Sequence, residues 1–258
     1  MTNWVRFRHH DHMCFGTLAD DGEIAVHNGY MFGAAKPTGQ YLKLSDVALL
    51  APCAPSKMIA LWNNFHALAA KLNVPEPKEP LYLLKSPSSI AAPGAVVRKP
   101  VSYEGKTTYE GELGIVIGKT CSNISPDQAD GVIFGYTCVN DITASDVLNR
   151  DATFPQWARA KSFDGYGPFG PVITTGIDPA TLHIRTILNG EERQTYPISD
   201  MIFSAQRLVS AISRDMTLLP GDLICCGTSV GVGVMKQPVN RVTIAIEGIG
   251  ELHNEFHQ

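Results

Sequence analysis

Short apolar runs, separated by turn residues, follow one another along most of this chain. The run Leu113–Ile117 is apolar except for one glycine, which predicts a strand buried on both faces. Similar runs predict strands at residues 57–62, 81–84, 133–140, 172–175, 182–188, 223–226 and 242–247, with one more around Leu252. Residues 182–188 lead into Asn189-Gly190, a dipeptide typical of a tight hairpin.

Only two segments show apolar residues at helical spacing. The first carries Phe65, Leu68, Ala69 and Leu72, and Pro75 is expected to end it. The second carries Ile202, Ala205, Leu208, Val209 and Ile212, and either Ser199 or Asp200 is the predicted cap. Strands therefore outnumber helices, and we expect a β-dominated α+β fold.

The chain is predicted to divide into a small N-terminal domain, residues 1–50, and a larger catalytic domain, residues 51–258. Polar turns such as Asp20-Asp21-Gly22 and Asn28-Gly29 alternate with short apolar runs in the first part, which predicts a small β-rich unit. A length of 258 residues is sufficient for one large domain with such an appendage.

Composition narrows the classes of partner. A hydrophobic share of 44% is typical of a globular domain with a substantial core, and a net charge of −4 argues against a nucleic-acid partner.

No apolar run approaches the roughly 20 residues that a membrane span needs, and the N-terminus lacks the apolar stretch of a signal peptide. We therefore expect a cytoplasmic protein whose six cysteines are reduced. None of them forms a C-x-x-C pair, which argues against a zinc ribbon or a redox motif.

Two glutamates at the start of the most apolar run are the first candidates for chemistry. Glu110 and Glu112 are separated by one residue, so on a strand they point to the same face. Two carboxylates beside a buried strand repel each other and lose hydration, and a bound hard cation removes that cost. The alternative is an exposed acidic edge of a sheet.

Asp141, at the end of the predicted strand 133–140, is a candidate third ligand. Three carboxylates favour Mg²⁺ or Mn²⁺, with Ca²⁺ as a further candidate, over zinc. Such a site leaves coordination positions for water and for the oxygen atoms of a substrate.

The chain resembles the fumarylacetoacetate hydrolase family through a series of short motifs in the same order. They are Leu50-Ala51-Pro52, Pro55-Ser56-Lys57, Leu84-Lys85-Ser86-Pro87, Tyr109-Glu110-Gly111-Glu112-Leu113, Val116-Ile117-Gly118-Lys119, Gly135-Tyr136-Thr137, Asn140-Asp141, Ala160-Lys161-Ser162-Phe163-Asp164, Met216-Thr217-Leu218-Leu219-Pro220-Gly221-Asp222, Gly227-Thr228-Ser229 and Glu247-Gly248-Ile249-Gly250. Each motif is weak alone, but their number, order and spacing make the resemblance specific.

This resemblance implies a mixed β-sandwich or roll, a homodimer, and a small-molecule oxo acid as substrate. It also implies that Glu110, Glu112 and Asp141 bind the ion, that Lys161 is the active-site lysine, and that Thr228 contacts a substrate carboxylate. Two further residues are candidates for substrate binding, each with a structural alternative. These are Lys85, which is otherwise part of an ion pair, and Asp164, which follows Lys161 closely and either orients it or caps a turn.

The chain departs from the family where hydrolases activate water. Their motif Asn-Tyr-x-x-His-x-x-Glu aligns with Asn64 onwards, so Leu68 and Lys71 stand where the family has its histidine and glutamate. His66 lies two residues earlier and is the candidate base, with a surface role as the alternative. Ser145 also replaces an arginine that often follows the metal-binding aspartate.

Three functions remain open at this point. The first is a metal-dependent hydrolase that cleaves a carbon–carbon bond in an acylpyruvate or other 2,4-dioxo acid, in the breakdown of aromatic compounds. The second is a decarboxylase or isomerase of oxaloacetate-like or 2-hydroxymuconate-like acids on the same metal site. The third is a catalytically inactive relative that binds a metal ion and an oxo acid.

Overall fold

Strands dominate the protein, as predicted. A computed structural model describes residues 1–258. The strands are β1 (Thr2–His9), β2 (His12–Leu18), β3 (Glu23–Asn28), β4 (Lys36–Lys43), β5 (Ala48–Leu49), β6 (Met58–Trp62), β7 (Leu81–Lys85), β8 (Ile90–Ala91), β9 (Val96–Arg98), β10 (Thr107–Tyr109), β11 (Gly111–Ile117), β12 (Ile133–Asn140), β13 (Thr143–Ala144), β14 (Gly167–Thr175), β15 (His183–Leu188), β16 (Glu191–Pro197), β17 (Leu223–Cys225), β18 (Gly233–Val234), β19 (Val239–Ile246) and β20 (Gly250–His257). The α-helices are α1 (His66–Leu72), α2 (Ser145–Leu148), α3 (Trp157–Lys161) and α4 (Ala205–Asp215).

Two large sheets and one small sheet organise these strands. The largest has the order β4-β3-β2-β1-β14-β12-β11-β17-β6-β7, with β5 paired to β1 and β8 paired to β14. A five-stranded sheet has the order β16-β15-β19-β20-β9, and β13-β10-β18 form the third. Apolar side chains of both large sheets meet in one cluster, which includes Leu113, Ile115, Ile184, Ile244 and Leu252. This is the mixed β-sandwich that the family resemblance implies.

Strand β11 is buried along its whole length. Leu113, Ile115 and Ile117 face the larger apolar cluster, whereas Val116 faces a second cluster on the other side of the sheet. The alternation follows from the two-residue period of a strand. A polar side chain on this strand is therefore buried, and it needs polar or charged partners within the protein.

The hairpin at Asn189-Gly190 forms as predicted. Strands β15 and β16 pair antiparallel on either side of it. Both turn residues have positive φ, 54° at Asn189 and 86° at Gly190. Asparagine and glycine are the residues that tolerate this backbone, which is why the dipeptide predicts the turn from sequence alone.

The predicted cap of the long helix was wrong. Ser204 caps α4 by accepting a hydrogen bond from the Arg207 N–H at 3.4 Å, while Ile198–Asp200 forms a separate 3₁₀ turn. Asp200 instead caps α1, because its carboxylate accepts a hydrogen bond from the Ala67 N–H at 3.1 Å. Residues 199–204 contain three good capping residues, Ser199, Asp200 and Ser204, and the fold uses two of them for different helices.

The N-terminal segment continues the largest sheet. Strand β1 pairs antiparallel with β14, so that Trp4 lies opposite Ile173. Strands β2, β3 and β4 follow outward from β1 to the edge of the sheet. No helix of the chain reaches the length and apolarity that a bilayer crossing requires.

The turn Pro220-Gly221-Asp222 has a structural role. The buried Asp222 carboxylate accepts hydrogen bonds from the Ser56 N–H at 3.1 Å, the Ser56 hydroxyl at 2.6 Å and the Leu219 N–H at 2.8 Å. It also forms an ion pair with the Lys57 ammonium at 2.5 Å. These contacts fix the start of β17 against the start of β6, its parallel neighbour.

We expect Asp222→Ala to lower the free energy of unfolding by about 3 kcal/mol or more, because the lysine and several N–H groups lose their acceptor together. Denaturant unfolding measures this effect. Asp20→Ala is the control, since Asp20 lies in an exposed turn. A loss below about 1 kcal/mol in the Asp222 variant would contradict the assigned role.

Candidate metal centre

The three predicted acidic residues lie at one end of the β11–β12 pair. Glu112 belongs to β11, Asp141 directly follows β12, and Glu110 occupies the single position between β10 and β11. The Asp141 N–H donates to the Glu110 carbonyl at 2.9 Å, and Gly111 lies opposite Asn140 in the strand register. The glutamates were expected on one continuous strand; the chain in fact breaks at Glu110, yet both carboxylates reach the same place.

The carboxylates of Glu110, Glu112 and Asp141 converge within the dimensions of a cation site. One oxygen from each lies within 4.8 Å of the other two. Oxygen Oε1 of Glu112 is buried without a hydrogen-bond partner. A hard divalent cation is bound by carboxylate oxygens, so the donor set and the orphaned oxygen are both compatible with Mg²⁺ or Mn²⁺.

Two buried lysines neutralise part of this acidic cluster. The Lys161 ammonium, at the end of α3, donates to Glu110 at 2.8 Å, to Asp141 at 2.6 Å and to the Thr143 hydroxyl at 2.8 Å. Lys85, the last residue of β7, forms an ion pair with the other oxygen of Asp141 and donates to the Tyr166 carbonyl at 3.1 Å. Lys85 thus adopts the ion pair that was the alternative to substrate binding.

The pKa values of the three carboxyl groups are shifted in different directions and to different extents. Burial raises the pKa of Glu110 and, assisted by the negative charge of Asp141, raises that of Glu112 well above its ordinary value. Burial also acts to raise the pKa of Asp141, but the charges of Lys161 and Lys85 outweigh it and the pKa is lowered. Glu112 receives one hydrogen bond, from the Gly227 N–H at 3.0 Å, and no lysine contact.

The pKa of Lys161 is raised despite its burial. Burial alone lowers the pKa of an amine, and the nearby negative charges of Asp141, Glu110 and Glu112 overcome it. Lys161 therefore stays an ammonium at neutral pH and supplies fixed positive charge. Once a divalent cation has displaced the proton of Glu112, three carboxylates, two ammonium groups and the ion would together carry one positive charge. Such a site is electrostatically suited to an anionic ligand.

A set of neutral polar groups supports the cluster. Thr143 donates to Glu110 at 3.0 Å. Thr228 donates to the Gly111 carbonyl at 3.0 Å and accepts from Gln194 at 2.9 Å, while Gln194 accepts from the Gly111 N–H at 3.0 Å. Thr228 therefore lies beside the glutamate strand. Sequence reasoning missed Thr143 and Gln194, and only the position of Thr143 two residues after Asp141 offered a signal.

The remaining candidates lie outside the cluster. Asp164 is exposed in a turn, and the Lys161 ammonium bonds to other residues, so the suggested orienting contact is absent. His66 is half exposed at the start of α1, and its Nδ1 atom lies 2.5 Å from a carboxylate oxygen of Glu76. Asn64 connects this segment to the cluster, because its amide donates to the Cys226 carbonyl at 2.9 Å, next to Gly227.

Fold and site together define a β-rich enzyme fold with a carboxylate–lysine centre. The family model described as "Fumarylacetoacetate (FAA) hydrolase C-terminal" matches residues 57–257, and one described as "Rv2993c-like, N-terminal" matches residues 3–52. The chain belongs to the fumarylacetoacetate hydrolase family.

Several relatives carry named activities. The oxaloacetate tautomerase YisK of Bacillus subtilis is 38% identical over 257 residues, which cover 93% of this chain and 84% of the relative. The crystal structure of 2-hydroxyhepta-2,4-diene-1,7-dioate isomerase from Mycobacterium marinum superimposes with a TM-score of 0.90 at 36% identity, covering 100% and 98% of the two chains. Maleylpyruvate hydrolase from Sphingobium, solved with manganese(II) and pyruvate, has a TM-score of 0.80 at 27% identity and 99% coverage of both chains.

The unpaired carboxylate predicts two opposite effects of Glu112→Gln. Without metal the variant should unfold at a higher temperature, because a glutamate whose pKa is raised in the folded state releases its proton on unfolding at neutral pH and so favours unfolding. With Mn²⁺ we expect the affinity to fall by at least about 100-fold.

Thermal unfolding in chelator and calorimetric titration with Mn²⁺ measure the two effects. The control is Glu104→Gln, since Glu104 is exposed. An unchanged Mn²⁺ affinity in the Glu112 variant would remove this residue from the site.

Proposed function

We propose that this protein is a metal-dependent tautomerase or isomerase of small 2-oxo acids, with oxaloacetate as the first substrate to test. The proposal is carried by the buried acidic cluster in a chain that is similar, over 93% of its length, to an oxaloacetate tautomerase. The similarity to a diene-dioate isomerase supports the same reaction class. The carbon–carbon hydrolase expected first from the sequence becomes the second candidate.

The reaction requires less of the site than hydrolysis does. Tautomerisation breaks a C–H bond at C3 of the oxo acid and forms an O–H bond at the neighbouring carbonyl oxygen, or the reverse. No water is consumed and no carbon–carbon bond breaks. A water-activating pair at positions 68 and 71 is therefore unnecessary, which agrees with Leu68 and Lys71 at those positions.

We assign the ion to Glu110, Glu112 and Asp141, with Mg²⁺ or Mn²⁺ preferred and Ca²⁺ as a further candidate. When bound, the ion would polarise the keto group and so acidify the adjacent C–H bond. Lys161 adds positive charge where an enolate oxygen develops its negative charge. Lys85 holds Asp141 in place from the buried side, and Thr228 lies within the site as a candidate contact for the substrate carboxylate.

His66 is the candidate that takes and returns the C3 proton, and Glu76 is proposed to orient it. With Nδ1 bonded to Glu76, the Nε2 atom is the one available to a substrate. The loop that carries Glu76 is fixed: Asn73 turns the chain with φ of 52°, and the buried Asn63 amide donates to the Pro75 carbonyl at 3.1 Å. A carboxylate that holds a histidine in one tautomer is a common feature of proton-transfer sites.

The decisive experiment follows the enol form of oxaloacetate by ultraviolet absorbance. We expect the purified protein with Mg²⁺ or Mn²⁺ to speed the approach to keto–enol equilibrium, and Glu112→Gln to abolish the acceleration because the ion is lost. Pyruvate should not accumulate, since its formation would indicate decarboxylation. A rate equal to that of buffer with metal alone would refute the proposal.

The proposed roles of His66 and Glu76 predict losses of different size in kcat in the same assay. His66→Asn should lower kcat by about 100-fold or more, and Glu76→Gln by about 10-fold, because the first removes the proton carrier and the second only its orientation. Mn²⁺ affinity should not change in either variant. Glu79→Gln, in the same exposed loop, is the matched control. Equal kcat for the Glu76 and Glu79 variants would exclude an orienting role.

Hydrolysis of an acylpyruvate stays the second candidate because of one neighbour. Maleylpyruvate hydrolase, solved with manganese(II) and pyruvate, has the same fold as this chain. Product analysis with a 2,4-dioxo acid distinguishes the two functions: pyruvate plus a second acid indicates hydrolysis, and recovery of the acid in its other tautomer indicates isomerisation. Binding without turnover of any acid would favour the inactive relative.

Three expectations from the sequence analysis remain predictions. They are the homodimer, the cytoplasmic location and the domain boundary near residue 50.

A further inference from the structure

Two tryptophans from different elements lie against each other near the acidic cluster. The ring centroids of Trp62 and Trp157 are 4.8 Å apart, at an interplanar angle of 42°. Both residues are half-buried and so are partly open to solvent. Neither residue belongs to the two apolar core clusters. The pair therefore presents indole surface that the fold leaves uncovered.

Helix α3 connects the acidic cluster to one of the two tryptophans. Trp157 begins the helix and Lys161 ends it, so the two are four residues apart and share one helix face. The separation along the axis is roughly 6 Å. The Lys161 ammonium contacts Glu110 and Asp141, so Trp157 projects from the helix face that leads to the acidic cluster.

The parallel strands β6 and β17 connect the acidic cluster to the other tryptophan. In the register of β6 and β17, Ala60 lies opposite Cys225. Two residues further along each chain, Trp62 and Gly227 come to the same end of the sheet. The Gly227 N–H donates to Glu112 at 3.0 Å. These two connections involve different carboxylates, and each leads to one of the two tryptophans, which places the pair at the same end of the sheet as the acidic cluster.

We propose that Trp62 and Trp157 form a specificity subsite that binds the planar, unsaturated or aromatic tail of a 2-oxo acid whose head lies at the acidic cluster. The inference rests on the proposed function for the position of the head. A charged, hydrogen-bonding centre beside open indole surface suits a ligand with an anionic head and a flat apolar tail. An exposed apolar neighbour extends this surface, because Leu81 lies directly opposite Trp62 on β7.

The test compares two ligands of the Mg²⁺-loaded full-length protein by calorimetry. Oxalate has no tail, whereas 4-phenyl-2,4-dioxobutanoate carries an aromatic tail. We expect Trp62→Ala and Trp157→Ala each to weaken binding of the phenyl acid by about 10-fold, and to change oxalate binding by less than about twofold. Trp157→Phe should retain most of the affinity for the phenyl acid, because it keeps an aromatic ring. Trp4→Ala is the control, since Trp4 packs on Phe15 and Phe134 in the N-terminal part of the sheet.

The outcomes separate this inference from the proposed function. Equal losses for both ligands would mean that the tryptophans only support Lys161, and unchanged binding of the phenyl acid would mean that they do not contact the tail; either result overturns the subsite. Selective loss of the phenyl acid in a protein that fails to turn over oxaloacetate would support the subsite and refute the tautomerase. If Trp157→Ala does not fold, Trp62→Ala on its separate strand decides the question.

Discussion

The site depends on the pairing of buried negative charge with buried positive charge. An ionised carboxylate in a protein interior loses several kcal/mol of hydration, so three of them at the end of a buried strand pair require compensation. Lys85 and Lys161 provide most of it, one on each oxygen of Asp141. Glu112 is left without a cationic partner and carries an oxygen with no hydrogen bond. That imbalance, more than the acidic composition itself, argues for a divalent cation.

Much of the fold could be predicted because its signals are local. An unbroken apolar run predicts β11, and Asn189-Gly190 predicts the β15–β16 hairpin through its backbone preference. The helix caps could not be assigned, because Ser204 and Asp200 are both good capping residues and only tertiary contacts decide which helix each one serves. Likewise, nothing in the sequence predicts that the N-terminal strands extend the largest sheet, since strand pairing across most of the chain leaves no local pattern.

The candidate site, like the fold, could be predicted from the sequence only in part. Its three acidic residues could be named because they lie in short, recognisable motifs. Their surroundings could not: Gln194 comes from a hairpin far along the chain, and its amide bonds both to Gly111 and to Thr228. The contact between His66 and Glu76 was hidden because ten residues and a left-handed turn at Asn73 separate them. A short motif identifies residues by their neighbours in sequence, whereas these contacts join residues that only the folded chain brings together.

The pairing of β1 with β14 has a consequence for the evolution of such chains. Without β1, strand β14 would present unpaired N–H and C=O groups near the middle of the present sheet, and exposed edges of this kind recruit other strands. The N-terminal segment thus supplies the hydrogen-bonding partner for this edge of β14. A homologous catalytic core that lacked such a segment would need another protection for this edge, such as a charged residue, a bulge or a different covering element.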